Sequence, residues 1–150
     1  MKIGIVDIQT IVKELPDTKA AEKKLEGISK KYQDSLMTMQ KELESKYKAY
    51  ETQKGMMPED QRAQEEQTLM MLDQQIKMFY EQKFGMQGEV NRLQLELLEP
   101  IREKVKNAID EVAKQEKISL VLDKSQPAVL YSEDKFDITF RVLDKIKRSK

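Results

Sequence analysis

The chain has 150 residues, a length suited to one domain. Charged residues make up 36% and aromatic residues 6%, which is too polar for a membrane-spanning chain and poor in the rings that fill an ordinary compact core. Lys plus Arg and Asp plus Glu balance at 27 each, so no net charge draws the chain onto nucleic acid or an anionic membrane.

The absence of Cys excludes disulfides, thiol catalysis and thiolate metal sites, and the absence of His removes the commonest general base and metal ligand. No apolar run approaches the ~20 residues of a transmembrane helix. Scarce Gly (5) and Pro (4) beside 9 Met favour long helices or coiled coil. Met1 leads straight into a short apolar run, which does not read as a secretory signal; a cytoplasmic protein and one whose signal has been removed both fit.

Residues 2–8, Lys-Ile-Gly-Ile-Val-Asp-Ile, read as a strand that is apolar on both faces and so needs cover on both. Residues 10–15 suit a short helix or turn closed by Pro16, after which Asp17 or Thr18 reads as a helix N-cap. Apolar residues then fall at Leu25, Ile28, Tyr32, Leu36, Met39, Leu43, Tyr47 and Tyr50, an 11-residue period that predicts a nearly straight or slightly right-handed coil. Gly55 to Asp60 stops this helix and starts the next, with Pro58 in the first turn and two acids at its positive end. Leu69, Leu72, Ile76, Phe79, Lys83, Met86, Val90, Leu93 and Leu97 form a heptad seam with one polar interruption at Lys83. Pro100 is expected to kink this helix or mark a junction, with helix resuming to about Gln115. Strands are expected at 118–123 and 127–132, and a last helix is capped by Asp137-Ile138-Thr139.

The helices over 18–54 and 59–99 are nearly equal, each roughly 55–60 Å long at the α-helical rise. Pro16 and Pro100 lie almost symmetrically about Pro58, which predicts an antiparallel hairpin in which residues summing to about 113–116 face each other. Residues 18–57 carry 9 basic and 6 acidic side chains and residues 58–98 carry 4 and 8, so the two arms attract modestly. The fold class is therefore α+β: a helical-hairpin arm, 18–99, inserted between the strands of a small β body made of 1–17 and 100–150. So small a body cannot cover two sheet faces and leaves strand edges open, so other copies of the chain are expected to complete it, two or three by this argument.

No catalytic constellation emerges. Asp7 and Asp123 each end a strand; a carboxylate pair can do acid–base work, but each is more simply read as satisfying backbone donors at a strand end. Gly85-Met86-Gln87-Gly88 lies in a helical pattern, not after a strand, so it is no nucleotide fingerprint. Beside the seam lie Met37, Met70, Met71, Met78, Tyr80 and Phe84, and at the tip Met56 and Met57. Flexible thioethers repack around apolar partners of different shape, which makes these eight the candidate client-binding residues; the competing reading buries them between the arms. Gly27, Gly85 and Gly88 fall at one level of the hairpin by the facing rule and are the candidate hinge.

Residues 2–7, Leu15-Pro16, Ala20-Ala21, the run from Leu98 through Pro100 to Val105, Leu120 to Asp123, Val129 to Tyr131 and Asp137 to Thr139 resemble, in that order around an 80-residue helical insertion, the Skp/OmpH chaperone family. The resemblance implies a periplasmic homotrimer shaped like a jellyfish, with three arms enclosing unfolded outer-membrane proteins, without ATP or cofactor, in a sequence that begins after a removed signal peptide. It implies a holdase and not an enzyme, and it chooses three copies over two. Well-known enterobacterial members are strongly basic, whereas this chain is neutral, so no lipopolysaccharide site is carried over. The alternatives are a coiled-coil scaffold or adaptor with a folded partner and, closer in kind, a prefoldin-like chaperone; in the latter the strands lie between the helices, whereas here they flank them.

Overall fold

The structure, a computed structural model, describes residues 1–149. In chain order it holds β1 (Ile3–Val6), α1 (Ile8–Glu14), α2 (Pro16–Gln53), α3 (Glu59–Phe84), α4 (Glu89–Glu116), β2 (Leu120–Asp123) and α5 (Thr139–Arg148). These divide into two units: Met1–Lys23 with the chain from Leu95 onward, and Lys24–Gln94.

In the first unit β1 and β2 pair in parallel, from Ile3 opposite Leu120 to Val6 opposite Asp123. Parallel neighbours need a crossover connection, and here the crossover is everything from α1 to α4. The other edge of β1 is covered where the Ile138 N–H donates to the Ile5 carbonyl at 2.8 Å, beside a bridge between Ile5 and Asp137. The strand expected over 127–132 is not formed. Leu130 and Tyr131 are 95% and 84% exposed: Asp137 and Ile138 take the place beside β1, and the segment does not pair with the open outer edge of β2.

Ile11, Leu15, Val6, Ile138 and Val142 are the most deeply buried side chains. α4 closes this core with Ile101, Val105, Ala108 and Val112, spaced 4, 3 and 4 along one face. The expected continuation of helix to about Gln115 is present: α4 runs through Pro100, which is no junction between two helices. Proline removes one intrahelical donor, and the packing of the following three turns outweighs that loss.

The helix ends are settled locally. The Asp7 carboxylate accepts from the Thr10 N–H at 3.0 Å and caps α1. α2 begins directly at Pro16, where a missing N–H costs nothing, so neither Asp17 nor Thr18 acts as the cap. Asp17 instead accepts from Lys104 at 2.6 Å, and the Thr18 hydroxyl is buried with no hydrogen-bond partner among the described residues. α4 stops at Lys117, which takes a left-handed φ of 56° while the next N–H, on Ile118, reaches back to the Ala113 carbonyl at 2.8 Å.

In the second unit α2 is unbroken and turns through Lys54–Met56 into α3, whose first turn carries Glu59 and Asp60. The single helix expected over 59–99 is two helices, because α3 ends at Phe84 and α4 begins at Glu89. The opposite charges of the two arms are not met by cross-arm ion pairs: among the described residues the α2 lysines that form ion pairs, Lys46 with Glu42 and Lys48 with Glu44, do so within their own helix. Tyrosines join the helices instead. The Tyr50 hydroxyl donates to Glu66 and the Tyr32 hydroxyl to Glu89. These pairs sum to 116 and 121, so the break between α3 and α4 absorbs about five residues with little advance along the hairpin.

Candidate functional site

Asp7, Asp123 and Asp137 of the first unit have structural partners. Asp123 accepts from the Ile8 N–H at 3.3 Å and the Ser125 N–H at 2.9 Å, and Asp137 accepts from the Thr139 N–H at 2.8 Å and from Lys124 at 2.6 Å. Burial opposes charge on both carboxylates, but these donors outweigh it and hold both below the usual range. Asp7 and Asp123 thus satisfy backbone donors at strand ends. No group of His, Cys, Asp and Glu suited to a metal occurs among the described residues.

The arm is built differently. Its two helices meet along a narrow seam, so residues flanking that seam remain open to solvent. Met37, Met70, Met71, Met78 and Tyr80 are each more than half exposed, and Met56 at the tip reaches 89%. Met57 and Phe84 are half-buried, Phe84 because it packs edge-on against Tyr32 and at a tilt against Tyr80. Between the helices lies a groove of about 620 Å³ lined by Gln40, Leu43, Glu44 and Tyr47 of α2 and by Leu69, Met70, Asp73 and Ile76 of α3. Of the eight candidate residues only Met70 lines this groove.

The three glycines do not share one environment. Gly85 and Gly88 lie in the non-helical break, both buried. A side chain on Gly85 would run into the backbone carbonyl and carboxylate of Glu81. Gly27 sits in unbroken α2 with open space around it. Tyr32 is the α2 residue opposite the break.

The feature missed in the sequence is the clamp around that break. Lys83 donates to Glu89 at 2.6 Å and lies 4.6 Å from the centre of the Tyr32 ring, while Tyr32 stacks edge-on against Phe79 and Phe84. The Asn91 side chain donates to the carbonyls of Gly85 and Met86 at 3.2 and 3.1 Å, satisfying backbone acceptors that the helix end frees. Hydrogen bonds from Lys83 first and Tyr32 second hold the Glu89 carboxyl below its usual range, and the bond to Glu89 raises Lys83 and Tyr32 in turn. Lys83 had read only as a flaw in the heptad. The facing rule held the signal, since 32 and 83 sum to 115.

The pattern of the OmpH-like outer membrane protein family matches residues 2–146. The chain is 27% identical over 146 residues to the proteins named chaperone protein Skp of Yersinia enterocolitica and of Pectobacterium atrosepticum, covering 97% of this chain and 86% of each relative. A crystal structure of a Caulobacter crescentus protein described as OmpH-like shares the fold, with a TM-score of 0.81 at 22% identity over 96% of this chain and 82% of that one. With a helical hairpin inserted between two parallel strands, and the family pattern spanning nearly its whole length, this chain belongs to the OmpH-like family.

Proposed function

We propose that the protein is an ATP-independent holdase chaperone, active in the periplasm as a homotrimer, that binds unfolded outer-membrane proteins and keeps them from aggregating. The observation that carries this reading is the arm surface: methionine and tyrosine side chains stand open to solvent along a helical hairpin. Many weak apolar contacts of this kind hold a shapeless client by multivalency, and binding the unfolded state withdraws it from aggregation. The relatives named Skp chaperones support the same assignment. The helices are too polar to cross a membrane among the described residues, which fits a partner of membrane proteins that is not itself held by a helical span.

Support for self-association comes from the first unit. Leu120 and Leu122 on β2, with Leu130, Tyr131 and Phe140, leave a large apolar area exposed for so small a body, and β2 forms the edge of its two-stranded sheet. Sister copies would cover that area and give residues 127–132 the ladder partner they lack in one chain.

The test combines light scattering and solution mass. A urea-denatured β-barrel protein, diluted into buffer with this protein, is expected to stay dispersed, and the protein alone is expected to have three times the chain mass. Leu130→Asp with Phe140→Asp should reduce that mass. Unchanged aggregation of the client rejects the holdase; a monomer rejects the trimeric body.

A further inference from the structure

The arm's unassigned chemistry is that of sulfur. With nine Met and no Cys in the sequence, thioethers are the side chains most readily oxidised here. Besides Met1, six of them, Met37, Met56, Met70, Met71, Met78 and Met86, are more than half exposed. Met70 differs from the other five because it also lines the apolar groove. Met71 and Met78 lie seven residues apart on one face of α3 and do not line it. An oxidant in solution therefore reaches a groove wall directly, with no thiol in the chain to intercept it.

We propose that Met70 is an oxidation site that switches the groove from apolar to polar. A two-electron oxidant of the peroxide class transfers one oxygen atom to the Met70 thioether. An S–O bond forms, the O–O bond of the peroxide breaks, sulfur loses two electrons, and the remaining peroxide oxygen leaves as water. The product sulfoxide is a strong acceptor set in a lining whose other polar side chains are Gln40, Glu44 and Asp73, the two carboxylates being already paired with Lys48 and Lys77. An apolar guest then meets a polar wall in place of a soft thioether. The consequence for client holding rests on the proposed function; the chemical step and the loss of apolar binding do not.

Full-length protein is treated with hydrogen peroxide, mapped by peptide mass spectrometry for one added oxygen at each methionine, and titrated with the uncharged apolar dye Nile red. Met70 sulfoxide is expected to form alongside those of Met56 and Met86, with dye affinity falling on the order of fivefold. Met70→Leu should keep its dye affinity after the same treatment, and Met71→Leu with Met78→Leu should lose it as the parent does. The proposal is overturned if Met70 stays unmodified while Met56 and Met86 convert fully, if Met70→Leu loses dye equally, or if the untreated protein binds no dye. Failure of the untreated protein to disperse a denatured client rejects the holdase reading alone and leaves these readouts standing.

Discussion

The phenol of Tyr32 in α2 donates to the carboxylate of Glu89, the first residue of α4, across 57 positions of sequence. Glu89 also accepts from Lys83 in the last turn of α3, so one carboxylate ties three helix segments at the point where the second half of the hairpin is interrupted. Its place at a helix N-terminus adds a favourable charge–dipole interaction.

Tyr32→Phe and Glu89→Gln should therefore loosen the break selectively. Amide hydrogen exchange at residues 85–91 is expected to quicken, more for Glu89→Gln because two partners are lost, with exchange in β1 and α1 unchanged. The carboxyl lies below its ordinary value near 4.5 when folded, so its contribution is fully present above that value and is lost as pH falls through the folded one. Equal exchange in the parent and both variants would remove the clamp's role.

The glycines make opposite predictions. Gly85→Ala forces a methyl against the Glu81 carbonyl and should destabilise the protein by roughly 1–3 kcal/mol. Gly27→Ala adds a methyl in open space within a helix and should stabilise by about 0.5–1 kcal/mol. Thermal unfolding of the two variants separates a required break from a tolerated weakness. A stabilised Gly85→Ala would show that the break is not built around glycine.

At high pH the tip-side pairing should fail last. The hydrogen bond to Glu66, helped by burial, pushes the Tyr50 phenol from 10.0 to about 12. The neutral phenol is the form that donates, so its contribution is complete below pH 10 and is lost as pH rises towards the folded value. Tyrosinate absorbance is expected to show a late step that Tyr50→Phe abolishes, together with loss of arm helicity over the same range. A Tyr50→Phe titration that superimposes on the parent's would exclude this pairing.

Lys117 holds a left-handed conformation that costs a side-chain-bearing residue free energy which glycine avoids. Lys117→Gly should stabilise by roughly 0.5–1 kcal/mol, the strain relief being offset in part by glycine's greater unfolded entropy. Chemical denaturation should move to a higher midpoint at unchanged slope, and a lower midpoint would mean that other contacts of Lys117 outweigh its backbone strain.

The sequence by itself determined what periodicity and chain punctuation can encode. The 3–4 spacing from Leu25 to Tyr50 specifies a helix because it puts one apolar face every turn. Gly55 and Pro58 specify the turn because one suits a helix stop and the other a helix start. Asp7 and Asp123 at strand ends were legible as backbone partners for the same local reason. Tertiary structure decided whatever depended on neighbours distant in sequence. Helix beyond Pro100 was legible in the spacing of Ile101, Val105, Ala108 and Val112, but what that face packs against, side chains of β1, α1 and α5, lies in no local window. Residues 127–132 are kept from β1 because Asp137 and Ile138 already occupy its second edge, and they do not pair with β2 within one chain. The break at 85–88 is held by Tyr32, fifty residues earlier, and glycine propensity alone could not reveal that a weak point in one helix was also a fastened one.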